Sequence, residues 1–383
     1  MDKFQKIYYW APFIDKVATI KAVYNSVNSL NRYSSKKYNA KIIDTFGEWK
    51  MNNYFDQNKK YFFPLTKFSF LNKFSSLGFL KSRIKYVLIF LLCFFPLKNF
   101  IDKNKPDFII IHLVTSLPLF LNLIYKFQTK FILRISGKPR LNFVRFFLWK
   151  ISLKNIHKIT FPTQETLNYF KSLNIADKKK FELLYDPILN VKEICKKQNE
   201  HGEDIIIENE EFYLAIGRLT KQKNFNFLIE CFNEILKTKK DIKLIIIGSG
   251  ENKNRLETLI TKYNLENKIY LTGYKENIFK YLIKSKAFIL SSLWEDPGFV
   301  IIESMFSNTI VISSDCASGP KEILDKNRGV LFQNNNKKDF IEKFNFLSNL
   351  QESQILEKKI SAKKFVKKFT LLSHHNKLIQ LFY

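Results

Sequence analysis

Residues 291–303, SSLWEDPGFVIIE, hold two carboxylates eight positions apart, Glu295 and Glu303. An apolar stretch that reads as a buried strand precedes them, and Pro297-Gly298 ends it and turns the chain. Residues 299–306 then read as a helix. The first turn of a helix carries N–H groups without intrahelical partners, so Gly298, Phe299 and Val300 could donate to a phosphate. Glu295 falls in the loop before that helix and Glu303 inside it. Carboxylates so spaced suit hydroxyls at two ends of one sugar-containing ligand. The plainer reading is an acidic loop residue and an acidic helix residue with no common task.

Upstream, GRLTKQKN at 217–224 follows another apolar stretch. Gly217 lets the turn come close to a ligand. Arg218 offers a planar fork and Lys223 a point charge, a combination that suits a diphosphate. The same residues also fit a solvated strand-to-helix turn. GSGE at 248–251 places Gly248 and Gly250 after the next strand. It is not G-x-G-x-x-G, and it reads as backbone approach to a nucleotide or as an ordinary tight turn. Tyr274, in TGY at 272–274, either borders a base or fills a rim. Ser318-Gly319-Pro320 opens a further helix, because proline is favoured in a first turn.

These residues need a scaffold that gathers strand ends. Short apolar strands alternate with amphipathic helices along the chain, which predicts an α/β fold with mainly parallel sheets. Strands are expected at 5–10, 40–45, 107–112, 130–135 and 157–161, with helices at 16–30, 117–127, 141–152 and 164–172. A second series places strands at 212–216, 242–247, 269–272, 287–290, 310–313 and 329–332. The aromatic-rich region 47–100 resists assignment. The polar, acidic stretch 191–211 reads as a linker. The expected organisation is two Rossmann-like domains, 1–190 and 212–355, followed by C-terminal helices over 356–383 that could return to the first domain. A length of 383 residues is enough for two cores. Two such domains in tandem would face a cleft, with ligands at the carboxyl ends of their strands.

Apolar residues make up 46% of the chain, which excludes disorder and collagen-like structure. Cys93, Cys195, Cys231 and Cys316 form no C-x-x-C pair and no zinc spacing. No disulfide framework and no metal site is therefore expected, and the chain reads as cytoplasmic. Its first ten residues lack the apolar core of a signal peptide. The net charge of +28 is split unevenly: residues 1–190 carry 32 Lys+Arg and 11 Asp+Glu, residues 191–383 carry 31 and 24. The longest apolar run, YVLIFLLCFFPL at 86–97, is short of the roughly 20 residues that cross a bilayer. Flanked by Lys81, Arg83, Lys85 and Lys98, it reads as a core helix or as a helix lying in a membrane interface. Arg140, Arg145 and Lys150 alternate with Phe143, Phe146, Phe147, Leu148 and Trp149 in a second stretch of this kind. Both stretches suit an anionic membrane surface.

GRLTKQKN, GSGE, LTGY, the Glu-x7-Glu segment from Glu295 to Glu303 and SGPKEI follow one another between residues 217 and 323. In this order they resemble the nucleotide-sugar-binding domain of family 4 retaining glycosyltransferases, which have the two-Rossmann-domain GT-B architecture. The resemblance implies that Arg218 and Lys223 hold the donor diphosphate and stabilise the leaving group. It implies that Glu303 binds ribose hydroxyls and that Glu295 meets the donor sugar near the reacting carbon. His112, at the end of IIIHLVTSL, would be a cleft-facing residue, with a satisfied core or turn histidine as the alternative. Arg134-Ile135-Ser136-Gly137 and Tyr185-Asp186-Pro187 would face the same way. The loop 11–16, APFIDK, lacks the Gly-Gly that many members carry.

The implied reaction moves a sugar from a nucleoside-diphosphate sugar to an acceptor hydroxyl with retention, and needs no metal or other cofactor. Domain closure would exclude water. Basic charge and resemblance together point to a lipid-linked saccharide acceptor and a peripheral place on the inner face of the cytoplasmic membrane. Cell-surface polysaccharide, lipopolysaccharide or glycan synthesis would be the pathway. A nucleic-acid-binding protein is the first rival, but no nucleic-acid module is visible and the basic segments are too apolar for a phosphate track, so no nucleic-acid partner is expected. A non-catalytic membrane scaffold with a transferase fold is the second; intact Arg218, Lys223 and Glu303 argue against it.

Overall fold

The computed structural model describes residues 4–14, 18–51, 53–69, 79–139, 141–200, 211–317 and 319–383. Asp15, Lys16, Arg140, Ser318 and the 201–210 part of the expected linker lie outside them. The chain forms two compact units, Met1–Ile188 with Leu371–Tyr383, and Leu189–Thr370.

The first unit is built on seven parallel strands in the order β3-β2-β1-β4-β5-β6-β7. These are β1 Gln5–Trp10, β2 Tyr38–Asp44, β3 Phe62–Pro64, β4 Phe108–Ile111, β5 Lys130–Arg134, β6 Lys158–Phe161 and β7 Phe181–Leu183. Its helices are α1 Thr19–Tyr33, α2 Asn53–Gln57, α3 Phe79–Asn104, α4 Ser116–Ile124, α5 Phe143–Ser152 and α6 Gln164–Leu173. Side chains alternate along a strand, so β1 sends Tyr8 and Trp10 to one core and Ile7 and Tyr9 to the other. The first core is closed by α3 to α6 through residues such as Ile89, Cys93, Leu117 and Phe170. The second is closed by α1 through Ile20, Val23 and Val27, together with Leu378 and Leu381 from the chain's end. Strands covered on both faces must be apolar throughout, which is why FIII and KFILR read as strands.

The second unit has six parallel strands in the order β10-β9-β8-β11-β12-β13. They are β8 Phe212–Ile216, β9 Lys243–Ile247, β10 Ile269–Leu271, β11 Ala287–Leu290, β12 Val311–Ser314 and β13 Val330–Phe332. The helices are α7 Val191–Gln198, α8 Phe225–Leu236, α9 Lys253–Lys262, α10 Phe279–Lys284, α11 Phe299–Phe306, α12 Pro320–Leu324, α13 Lys337–Ser348 and α14 Glu352–Val366. Both sheets reverse their strand order at the middle, between β1 and β4 and between β8 and β11. At such a reversal the loops after two neighbouring strands leave toward opposite faces, and the gap between them takes ligands in open α/β sheets.

Three expectations about organisation are corrected. Residues 191–198 are not linker but helix α7 of the second unit: Gln198 donates to Ser307 Oγ at 3.1 Å, and Asn277 donates to the Lys197 carbonyl at 2.7 Å. Only Ile194 of that helix is buried, so its composition matches that of a linker. The C-terminal helices do not form one segment from 356. Helix α14 starts at Glu352 in the second unit, while α15, Leu371–Leu378, belongs to the first. The third concerns the length of the apolar run 86–97: it is helical, as both its readings had it, but it is the middle of the 26-residue α3, with Pro96 inside it, and Arg83–Asn104 is long and apolar enough to cross a membrane.

Helix α15 is tied to its unit by buried polar groups. His374 Nδ1 lies 2.8 Å from the Tyr185 carbonyl, which can only accept, so Nδ1 carries the proton. Its Nε2 then accepts from Ser26 Oγ at 2.8 Å, and Ser26 in turn accepts from the Tyr9 hydroxyl at 2.8 Å.

Candidate functional site

Three loops at the carboxyl ends of β8, β9 and β10 are stitched by backbone hydrogen bonds. Gly217 N–H donates to the Ile247 carbonyl at 3.0 Å, and Gly248 N–H to the Gly273 carbonyl at 2.9 Å. The glycines make this closeness possible. A Cβ on Gly248 would lie 1.8 Å from the Gly217 carbonyl oxygen, and one on Gly250 would lie 2.4 Å from the Leu219 oxygen. GSGE is therefore a packing requirement of the cradle, whatever it binds.

The loop after β8 is held to the loop after β11, across the strand-order reversal. Leu293 N–H donates to the Gln222 carbonyl at 2.8 Å, and Gln222 Nε2 to the Trp294 carbonyl at 2.8 Å. The stem of Lys223 passes over Gly217, where a Cβ would stand 2.9 Å from Lys223 Cε. That course delivers Lys223 Nζ to Glu295 Oε1 at 2.5 Å, in a largely buried ion pair. Ser292 Oγ donates to the same carboxylate oxygen at 2.5 Å, and Ser291 Oγ to the Lys223 carbonyl at 2.8 Å. Both serines are buried. They fix one the carboxylate and the other the lysine backbone, and neither was assigned a role from the sequence. Their signal was only two hydroxyl residues directly after an apolar strand.

Gly298 stands at the start of α11 with φ 94°, a left-handed conformation that favours glycine. Phe299 and Val300 form the first turn, so their N–H groups lie where a helix attracts an anion. Glu303 is buried further along α11, as is Glu295 in the loop before it. Gly319 backs this turn: a Cβ there would sit 2.0 Å from the Pro297 carbonyl oxygen. At the far end of α11, Lys363 of α14 donates to the Phe306 carbonyl and lies 4.0 Å from the centre of the Phe306 ring. A cation there complements the negative end of the helix. Behind the site, burial pushes the Cys316 thiol up to about 12, which leaves it unreactive.

The structure thus brings Gly217, Lys223, Gly248, Gly250, Glu295 and the start of α11 into one bonded assembly. Arg218 follows Gly217 and is exposed, with no ion pair to a described residue. Tyr274 is 72% exposed after β10 and takes no part in the core. Among the described residues no group of three or more His, Cys, Asp or Glu could hold a metal ion.

His112 belongs to the first unit, at the end of β4 beside that sheet's own reversal. It is buried, stacks on Tyr9 at 5.7 Å, and its Nδ1 has no hydrogen-bond partner among the described residues. Burial first, then the Arg134 guanidinium and His374, holds its imidazole well below the usual histidine range, so it is neutral. Arg134 and Asp186 form a buried ion pair with Nε to Oδ1 at 3.1 Å. That pairing gives both residues a structural task. Arg145 and Lys150 lie on α5, both exposed.

Residues 196–365 match the family model of glycosyl transferases group 1. An uncharacterized glycosyltransferase of Methanocaldococcus jannaschii is 36% identical over 250 residues, 60% of this chain and 61% of its own length. The N-acetylgalactosamine-N,N'-diacetylbacillosaminyl-diphospho-undecaprenol 4-alpha-N-acetylgalactosaminyltransferase of Campylobacter jejuni is 35% identical over 181 residues, 47% of each chain. The matched stretches therefore span about three fifths and about half of these relatives. Among solved structures, HepE of Anabaena in complex with UDP and glucose superposes with a TM-score of 0.71 at 14% identity, covering 98% of both chains. That likeness extends the GT-B fold over both units.

Proposed function

We propose that this protein is a glycosyltransferase that moves a sugar from a nucleoside-diphosphate sugar to the hydroxyl of a lipid-linked saccharide, with retention of configuration. The observation that carries the reading is Lys223, laid over Gly217 and delivered beside Glu295 next to the first turn of α11. In the proposed step the bond from the anomeric carbon to the diphosphate oxygen breaks, a bond to the acceptor oxygen forms, and the acceptor hydroxyl's proton passes to the departing diphosphate. Negative charge grows on the departing diphosphate. Lys223, Arg218 and the N–H groups of Gly298, Phe299 and Val300 would meet it, Lys223 and the helix start being fixed in place before the reaction begins. The positive charge comes from side chains and a helix start, so the step as proposed calls on no metal. Glu303 would take the ribose hydroxyls and Tyr274 the edge of the base. Glu295 would touch the sugar while keeping Lys223 aimed. A transferase from Campylobacter jejuni with an undecaprenol-linked acceptor supports the acceptor class, and a UDP complex of a fold relative supports the donor class. Synthesis of cell-surface polysaccharide or glycan on the cytoplasmic side of the membrane follows as the setting.

A melting screen with UDP, GDP, ADP and their sugars tests the donor reading. One nucleoside diphosphate should raise the melting temperature by several degrees, as binding to the folded state alone requires. Transfer of the matching radiolabelled sugar to undecaprenyl-diphosphate saccharides tests the acceptor. No shift with any nucleotide at millimolar concentration would remove the proposal.

A further inference from the structure

The outward sides of α3, α4 and α5 are apolar. On α3, Lys85, Ile89, Cys93 and Leu97 turn inward and are buried. The opposite stripe, Ile84, Val87, Leu91 and Phe95, is exposed, Leu91 by 62% and Phe95 by 66%. Positions spaced by three and four share one side of a helix, so this stripe is continuous. Helix α4 extends it with Phe120, whose ring lies 5.7 and 6.2 Å from those of Phe90 and Phe94 on α3. Helix α5 buries no residue fully and presents Phe143, at 86% exposure, with Phe147 and Leu148. Apolar patches of this extent mark interaction surfaces.

Charge selects the partner. Residues 79–154, which contain the three helices, hold 14 Lys+Arg and only 2 Asp+Glu. An occupant must accept apolar side chains and supply negative charge around them. An anionic bilayer does both, with acyl chains beneath a layer of phosphate. Arg83–Asn104 is long and apolar enough to cross a membrane by length and composition. Its inner stripe, however, belongs to the core of the first unit, so only its outer side is available.

We infer that the outer side of α3, α4 and α5 is the surface by which this protein docks on an anionic lipid bilayer, with α3 lying along the membrane. The inference deepens the proposed acceptor reading and rests on it for its purpose. Flotation of the full chain with vesicles of phosphatidylcholine, alone or mixed with phosphatidylglycerol, tests it. Two variants are compared with the wild type, Leu91→Gln/Phe95→Gln and Phe143→Ser/Phe147→Ser/Leu148→Ser. The wild type should float with the mixed vesicles and several-fold less with the neutral ones. Each variant should lose about tenfold or more in partitioning, because buried apolar area is removed. What binding remains should be released by salt, being electrostatic. All the α5 substitutions are at exposed positions, and both variants should keep the thermal shift with nucleoside diphosphate. Lost flotation with that shift retained separates docking from donor binding. Undiminished flotation of both variants, or no flotation of the wild type at low salt, would overturn the inference. So would a wild-type dimer that the same substitutions turn into a monomer, since that would give the face to a second copy.

Discussion

Lys223 and Glu295 carry opposite charges that are largely withdrawn from water, and each depends on the other. Breaking such a pair from one side strands a buried charge and costs about 3 kcal/mol, whereas removing both charges costs much less. Lys223→Met should therefore destabilise the second unit, and the double change Lys223→Met/Glu295→Gln should recover most of that loss. Turnover should behave differently, falling by about 100-fold or more in both variants if the ammonium group supports the departing diphosphate. Urea unfolding beside rate measurements separates the two roles; a double variant that regains activity along with stability would reduce Lys223 to a structural residue. The sequence showed the types of these residues and that each follows a strand. It did not show that the two would bond to each other, because a 72-residue separation carries no spacing signal. Ser291 and Ser292 escaped for a related reason: a buried serine's partner is a fact of three dimensions.

Elements hold these groups still, and the glycines at their ends are the least replaceable parts. A methyl group at Gly319 would collide with the backbone of Pro297, and backbone cannot swing aside as a side chain can. Gly319→Ala should thus displace the start of α11 and lower kcat/KM by about tenfold or more. At Gly273 a Cβ meets nothing within 4 Å, though φ is +72°; Gly273→Ala should cost only about 1 kcal/mol of strain. Equal kinetic damage from both would argue against a role for the turn at Pro297. The strands of the second unit were legible nearly residue by residue, because strands buried on both faces are continuous apolar runs. The 299–306 helix was read with the bounds it has. Helix α3 was not, since a helix apolar on both its inner and outer sides has no amphipathic period to detect. Helix α7 failed in the opposite way, being polar nearly all round.

At the scale of the molecule, the chain's last residues return to the first unit, and this return is sensitive to acid. His374 is neutral between Ser26 and Tyr185, and burial lowers its pKa from 6.5 to about 4, against the opposing pull of the Tyr185 bond. Above pH 6.5 the folded and unfolded chains both hold it neutral. As pH falls from 6.5 toward 4, the unfolded chain takes up a proton that the folded chain refuses, so stability is lost across that window, by up to roughly 3 kcal/mol. In His374→Gln the loss between pH 7 and pH 4.5 should be smaller than in the wild type by that order; parallel curves would contradict it. The two-unit fold followed from the alternation of elements, while the return of α15 rests on contacts between residues nearly 350 positions apart. The proposed function requires a nucleoside diphosphate held by Lys223 at the β8–β11 reversal. Calorimetric titration of the wild type and of Lys223→Met with the nucleoside diphosphate that stabilises the protein most tests it directly. Binding should weaken by about tenfold or more in the variant, the share of a charge-assisted contact to phosphate. Equal affinity in the two proteins would contradict it.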